Sequence, residues 1–259
     1  MKKLLKNSVF RILITIAGTI SLLIFLFTYI IPNTLSSPLS MGITIVMFVG
    51  FAIIFVVTMI CELFYDESTK ALVIDVNLEK AHTWILRMKK LDILGWYKDR
   101  YLVFMTIYYH DVDDLDALES LLTHKTFQSN HSMKLVHNYN QFYLNMKRNN
   151  LEKANEYYSL VKQVYKDSEL VKREKIALVY PYGLIKAEKN IAHGNYRQAL
   201  NDLKTVNFRL LNEREKAKLN YLKYQALYLA GNKIKAQENL SLAQTGYPQA
   251  QVIKKIGDN

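Results

Sequence analysis

The chain has 259 residues, and its 34 Lys and Arg against 23 Asp and Glu give a formal net charge of +11. Half of the residues are hydrophobic, which is enough to bury a core and excludes a largely disordered chain. A single Cys excludes a disulfide framework and argues against a thiolate-rich structural zinc site.

Two long uncharged stretches lie near the N-terminus, at residues 12–31 and 39–61. Each is long enough to span a bilayer, which takes about 20 helical residues. The alternative is a cleaved signal peptide followed by a buried core helix. A signal peptide has an apolar core of about 7–15 residues that ends in small residues, whereas the first stretch is longer and ends in Phe, Tyr and Ile. We therefore predict a transmembrane helical hairpin over residues 12–65.

The charges around this hairpin predict its orientation. Lys2, Lys3, Lys6 and Arg11 precede the first stretch, while the link at residues 32–38 carries no charge. Positively charged flanks favour the cytoplasmic side, so residues 1–11 form a basic cytoplasmic N-terminus. A hairpin returns the chain to the side where it began. The sequence thus predicts a multi-pass protein of the cell membrane with both termini in the cytoplasm.

A motif recurs along residues 66–248, in which a small or polar turn leads into a helix with Ala near its start. The segment Asn-Leu-Glu-Lys-Ala at 77–81 returns unchanged at 150–154. The anchoring alanines are 36, 37, 45 and 37 residues apart, and they are Ala81, Ala117, Ala154, Ala199 and Ala236. Apolar residues follow at helical spacing. This period predicts an all-α solenoid of about four to five helix pairs, followed by a tail at 249–259, with an irregular bundle as the alternative.

Two of these units carry the resemblance to a known family. Gly194-Asn195-Tyr196 with Ala199, Leu203 and Val206, and Gly231-Asn232 with Ala236, Leu240, Ala243 and Pro248, resemble the tetratricopeptide repeat family. The unit at 113–124 lacks the turn glycine, and most first helices lack the family's early Trp and Gly. The 45-residue spacing between Ala154 and Ala199 contains Tyr180-Pro181-Tyr182-Gly183, which predicts a kink or an insertion. In the first unit, the leading helix is expected to be the continuation of the second membrane helix through residues 66–76.

Charge is asymmetric in the predicted repeat region. Residues 66–120 carry 7 basic and 11 acidic side chains, a net of −4, whereas residues 121–259 carry 23 and 11, a net of +12. The acidic run at 110–116 is interpreted as the start of a helix, where negative charge is favoured. A divalent cation site is the weaker alternative, because the run lacks the Gly and the closing Glu of a calcium-binding loop. The basic half suits an acidic peptide or anionic lipid headgroups. Membrane tethering disfavours a nucleic-acid ligand.

The family resemblance also implies candidate partner-binding residues, because leading helices of such repeats face a concave groove. In this register the groove residues are Tyr139, Asn140, Tyr143 and Lys147 on one leading helix, and Lys218, Tyr221, Gln225 and Tyr228 on another. Aromatic rings with Lys and amides suit an extended or helical peptide. The alternative is that these tyrosines pack between helices and the lysines are merely solvated. The Lys/Asn/Arg set with which some family members clamp a peptide carboxylate is not cleanly present.

Motifs for catalysis are absent from the sequence. It contains no phosphate-binding Gly-rich loop, no Gly-x-Ser-x-Gly elbow and no His-Glu-x-x-His, and its six His are scattered. We therefore expect no enzymatic activity, no cofactor and no metal. The sequence predicts a membrane-anchored cytoplasmic scaffold or adaptor that binds an acidic or amphipathic segment of a protein partner. The alternatives are an unrecognised membrane enzyme or transporter subunit, or a polyanion-binding module.

Overall fold

The computed structural model describes residues 17–21, 23–24, 27–28, 38–166 and 181–254. Over these residues it is built from helices and contains no strand, so the predicted all-α class is confirmed. The predicted N-terminus at 1–11, most of the first apolar stretch and the link up to residue 37 lie outside the described residues. The two-span hairpin and its orientation therefore stay predictions.

The longest helix, α1, runs from Pro38 to Val73. Its segment Gly42–Val73 is long and apolar enough to cross a membrane, and it is the one such helix among the described residues. Large apolar side chains on its N-terminal half face outward, including Val46, Phe51 and Ile53. The helix continues without a break past residue 65, as expected if the second span also supplies the first leading helix.

Ten further helices follow α1 in the described part of the chain. They are α2 Leu78–Leu91, α3 Lys98–Val112, α4 Leu115–Leu122, α5 His131–Lys147, α6 Leu151–Lys166, α7 Tyr182–Ala192, α8 Tyr196–Lys204, α9 Glu213–Leu229, α10 Lys233–Gly246 and α11 Gln251–Lys254. Two short 3-10 helices, Lys125–Gln128 and Phe208–Leu210, precede α5 and α9.

The chain divides into two compact units. The first contains residues 1–68 and 81–98, and the second contains residues 69–80 and 99–259. In the first unit, α1 packs on α2, where the Phe64 and Trp84 ring centroids are 5.2 Å apart. The second unit contains four helical hairpins, α3/α4, α5/α6, α7/α8 and α9/α10.

The four hairpins of the second unit share one turn geometry. A residue in the left-handed region ends each leading helix, namely Asp113, Asn149, Gly194 and Gly231, with φ of 57°, 57°, 74° and 84°. The next amide then donates to a carbonyl oxygen five positions back at 2.8–3.0 Å, in the pairs Asp114–Tyr109, Asn150–Asn145, Asn195–Asn190 and Asn232–Leu227. This is the Schellman arrangement, which satisfies carbonyls that a helix end leaves unpaired.

Each second helix begins with the same contact. The amide of a fully buried residue donates to the carbonyl of the residue four positions earlier at 3.0–3.1 Å, in the pairs Leu118–Asp114, Ala154–Asn150, Ala199–Asn195 and Ala236–Asn232. In the α3/α4 hairpin the equivalent position is thus Leu118 and not Ala117, which is only partly buried. The repeat register predicted from the sequence is therefore displaced by one residue in this hairpin, where Asp113 and Asp114 stand in place of the Gly-Asn turn.

Among the described residues of the second unit, two hydrophobic clusters contribute to its core. The larger contains Leu118, Phe127, Phe142 and Val161, and the other contains Leu184, Leu203 and Leu222. Within the predicted tail at 249–259, Ala250 and Ile253 are buried. Of the predicted kink at 180–183, residues 181–183 are described, and α7 begins directly after Pro181.

Candidate functional site

The second unit contains a cavity of about 190 Å³ between its leading helices. Its wall comes from α3, α5, α7 and α9, the first helices of the four hairpins, and from the segment after α10. The second helices of these hairpins, α4, α6, α8 and α10, supply none of the described lining residues. The cavity therefore opens on the face that the leading helices share.

Five of the eight predicted site residues line this cavity: Tyr143 and Lys147 on α5, and Lys218, Tyr221 and Gln225 on α9. Tyr139 and Asn140 are buried and line a smaller neighbouring space of about 30 Å³. Tyr228 lies farther along α9, with 48% of its surface exposed, and its ring contacts Tyr224 at 5.6 Å between centroids. Whether any of the eight binds a partner stays a prediction.

A bidentate ion pair crosses one side of the cavity. Arg214 on α9 donates from Nε and Nη2 to the two carboxylate oxygens of Asp111 on α3, at 2.6 and 2.7 Å. The Tyr247 hydroxyl donates to the same carboxylate at 2.8 Å. Burial by itself lowers the pKa of the Arg214 guanidinium, but Asp111 outweighs burial and raises it overall. The Arg214 guanidinium therefore remains charged.

A second polar network lies on α5, α7 and α9. Lys218 Nζ lies 2.7 Å from both Glu188 Oε1 and the Tyr139 hydroxyl oxygen, and donates to both. The Tyr139 hydroxyl in turn donates to Glu188 Oε2 at 3.1 Å. Three groups from three helices thus satisfy one another, which fixes their positions in a buried environment.

His110 connects the polar networks to the aromatic wall. Its ring stacks on Tyr143 with 3.8 Å between centroids, and its Nε2 lies 2.7 Å from Asn140 Oδ1. The amide nitrogen of Asn140 donates to the Val136 carbonyl, so the oxygen faces His110 and Nε2 carries the proton. Burial, with the nearby charges of Lys218 and Arg214, lowers the pKa of His110 well below 6.5. The imidazole is therefore neutral at pH 7.

The cations around the cavity are compensated by carboxylates. Besides Arg214 with Asp111 and Lys218 with Glu188, Lys147 Nζ lies 4.0 Å from Asp113 Oδ1. This last pair is the longest of the three, and the Lys147 side chain is the most exposed of the three cations. The cavity is thus less basic than the net charge of the C-terminal half suggests.

The remaining wall is apolar. Met146, Ile191, Leu222 and Ile253 contribute aliphatic groups between the ion pairs. Burial raises the pKa of the Tyr143, Tyr221 and Tyr247 hydroxyls, so the aromatic wall is neutral as well. Such a surface suits a ligand that is apolar on one side and polar on the other.

The acidic run at 110–116 is divided among separate structural roles. Asp111 pairs with Arg214, Asp113 with Lys147, and Asp116 with Arg148 at 3.3 Å. Asp114 caps α4 by accepting from the Ala117 amide. No cluster of metal-ligating side chains occurs in the described ranges.

Sequence reasoning missed Arg214, Asp111, Glu188 and Tyr247. Acidic and basic residues alternate around Arg214, a pattern that is typical of a solvated helix face. A local signal existed, since Arg214 precedes Lys218 by four residues and so shares its helix face. Its partner is 103 residues away in the chain, and no local pattern indicates such a pairing.

The chain matches no protein-family model, no curated protein and no solved structure.

Proposed function

We propose that this protein is a membrane-anchored scaffold of the tetratricopeptide-repeat type. Its leading helices bind an amphipathic segment of a protein partner at the inner face of the cell membrane. The observation that carries the proposal is the cavity lined by α3, α5, α7 and α9, to which the chain contributes aromatic, aliphatic and paired charged groups.

Hairpins with a shared turn and a shared buried anchor support the repeat assignment. Repeats of this kind form a concave binding surface, which their leading helices line. The four hairpins of the second unit suit that arrangement, because their leading helices line the cavity together with the C-terminal segment, and their second helices do not. A tetratricopeptide-type scaffold accounts for both features.

The wall chemistry specifies the class of segment. Met146, Ile191 and Leu222 suit an aliphatic or aromatic side chain, which is the usual anchor of a bound amphipathic helix or strand. Lys147 is the best placed cation for a carboxylate of the partner, because its side chain, 34% exposed, is the most accessible of the three cavity cations. We therefore propose a segment with an apolar anchor next to an acidic residue.

The anchor is proposed to be a two-span hairpin with both termini in the cytoplasm. α1 supplies one helix long and apolar enough to span. Residues 12–31 supply a second stretch of matching length, and the lysines of residues 1–11 favour the cytoplasmic side. This arrangement tethers the second unit to the bilayer, whose anionic lipids attract a basic domain.

Site-specific photo-crosslinking in intact membranes tests the proposal. A photoreactive phenylalanine analogue replaces Gln225 on the cavity wall in one variant. In the matched control it replaces Leu242, an exposed residue on the second helix α10. We expect a discrete protein adduct from position 225 that is absent at position 242 and is lost when Lys147→Glu is added. Adducts that are identical at both positions would contradict binding at the leading helices.

A further inference from the structure

A short loop between α2 and α3, residues 92–97 in the first unit, exposes three large apolar side chains. Ile93 is 87% exposed, Leu94 is 54% exposed and Trp96 is 62% exposed. Side chains of this size on one loop make an apolar patch, and a patch of this kind marks an interaction surface.

The loop is built to hold this conformation. The Asp92 carboxylate accepts hydrogen bonds from the Trp96 and Tyr97 amides, each at 2.9 Å. Gly95 adopts a φ of 70°, and its amide donates to the Asp92 carbonyl oxygen at 3.2 Å. The backbone is therefore closed on itself, and the apolar side chains are left pointing outward.

Tyr97 fixes the loop against the membrane helix. Its ring is buried, and its hydroxyl donates to Glu62 Oε2 at 2.9 Å and lies 3.1 Å from the Thr58 carbonyl oxygen. Glu62 is the first charged residue of α1 after its uncharged segment. Residues 42–61 of that segment are about 30 Å long as a helix, which matches the hydrocarbon core of a bilayer. Tyr97 therefore lies at the level where α1 leaves the core.

Trp96 lies beside the apolar part of α1. It borders a groove of about 590 Å³ together with Phe51, Phe55 and Thr58. Thr58 precedes Glu62 by about 6 Å along the helix axis at 1.5 Å per residue. The groove that the indole borders therefore begins close to the level where α1 leaves the hydrocarbon core, and Trp is enriched at that boundary in membrane proteins.

Basic residues flank the loop on both sides. Lys89 and Lys90 occupy the last turn of α2, and Lys98 begins α3, all with exposed side chains. Lys side chains next to an inserted apolar patch pair with the phosphates of lipid headgroups. The flanking lysines, the exposed apolar side chains and the contact of Tyr97 with α1 all suit the same partner, which is a lipid bilayer.

We propose that the loop at residues 92–97 is a second, non-spanning membrane contact. Ile93, Leu94 and Trp96 insert into the leaflet at which α1 leaves the bilayer, and the flanking lysines contact its headgroups. The inference rests on the membrane anchoring proposed above. It adds a partner surface, the lipid interface, that fixes the orientation of α1 and α2 in the membrane.

Depth-dependent fluorescence quenching of the full chain in lipid nanodiscs tests the proposal. The nanodiscs contain phosphatidylcholine and phosphatidylglycerol, brominated either high or low on the acyl chain. Trp84→Phe leaves Trp96 as the only tryptophan, since the chain has two. We expect blue-shifted Trp96 emission that is quenched most by the shallow bromines and little by aqueous iodide. A second variant with Trp96→Phe retains only Trp84, which packs against the Phe64 ring at a tilt, and should be quenched less.

A third variant separates this inference from the anchoring itself. Phe51→Trp in the background of Trp84→Phe and Trp96→Phe places the only tryptophan on the span, and deep bromines should quench it. If that probe is quenched while Trp96 is accessible to iodide, the loop does not insert although α1 spans. If Trp96 is protected from both bromine and iodide, a protein surface covers the loop and the lipid assignment is wrong. If bromine quenches neither probe, the anchoring and the inference both fail.

Discussion

Arg214 and Asp111 form a buried bidentate ion pair that joins helices 103 residues apart in the chain, at 2.6 and 2.7 Å. The pair ties α9, the last leading helix, to α3, the leading helix of the α3/α4 hairpin. Tyr247, which follows α10, donates to the same carboxylate. One carboxylate therefore holds three parts of the second unit around the candidate binding cavity.

Arg214→Met should destabilise the protein strongly, because it leaves Asp111 buried without its cation. Removing one partner of a buried pair typically lowers the free energy of unfolding by about 3–5 kcal/mol. Thermal unfolding followed by circular dichroism in detergent micelles measures the loss. The double variant Asp111→Leu with Arg214→Met should recover a substantial part of it. Equal stability of Arg214→Met and the parent would show that the pair is not formed.

Gly183→Ala should destabilise the α7/α8 hairpin by overpacking. A methyl group at this position would lie 2.5 Å from Val206 Cγ2 and 3.1 Å from the Asp202 carbonyl oxygen. Insertion of a methyl group into such a contact typically lowers the free energy of unfolding by about 1–3 kcal/mol. Chemical denaturation of the purified protein provides the measurement.

Gly246→Ala is the matched control for that substitution. Its methyl group would lie 3.5 Å from Ala217 Cβ, which is an ordinary contact. Because Ala favours a helix over Gly by up to about 1 kcal/mol, this variant should be as stable as the parent or more stable. Equal losses in the two variants would contradict the close approach of α7 and α8.

His110 should make the protein less stable as the pH falls below about 6.5. In the folded state burial, Lys218 and Arg214 lower its pKa well below 6.5, so it stays neutral. The unfolded chain binds a proton at about 6.5, so it takes up more protons than the native state below that pH. Stability then falls by up to about 1.4 kcal/mol per pH unit until the folded-state pKa is reached.

His110→Gln should flatten this dependence, because Gln retains an N–H donor for Asn140 but does not titrate. His131→Gln, at the exposed start of α5, is the control and should leave the slope unchanged. The measurement is the unfolding midpoint as a function of pH between about 7 and 5. An unchanged slope in His110→Gln would show that His110 is protonated in the folded state.

The proposed topology predicts that a reagent outside the cell labels the link between the two spans but not the C-terminus. With Cys61→Ser as background, Ser36→Cys should react with an impermeant maleimide on intact cells, because the uncharged link is placed outside. Asn259→Cys should react only after permeabilisation. Labelling of position 259 in intact cells would place the repeat region outside and overturn the cytoplasmic assignment.

The helical fold was predictable because its signals are local. Asn150, Asn195 and Asn232 follow left-handed turn residues and precede a buried Ala, and the sequence displays this order directly. The anchor in the α3/α4 hairpin was missed by one residue because Asp113 takes the left-handed conformation without a glycine to indicate it.

The candidate site was predictable only in part, for the same physical reason. Helical spacing placed Tyr143 with Lys147, and Lys218 with Tyr221 and Gln225, on common faces. It gave no information about Glu188 or Asp111, whose partners lie on distant helices. Charge pairing across the cavity depends on tertiary packing, so a net charge of +12 in the C-terminal half did not translate into a basic groove.

The central claim, that the leading helices form the partner-binding face, is tested most directly by an affinity comparison. The partner identified by crosslinking at position 225 is titrated against the protein in nanodiscs, with Met146→Asp on the cavity wall and Leu242→Asp on α10 as the matched control. Loss of a buried apolar anchor typically weakens binding by about 2 kcal/mol or more, about thirtyfold. We expect this loss for Met146→Asp, in a variant whose helical content is checked by circular dichroism, and unchanged affinity for Leu242→Asp. Unchanged affinity for a folded Met146→Asp, or an equal loss for Leu242→Asp, would contradict the claim.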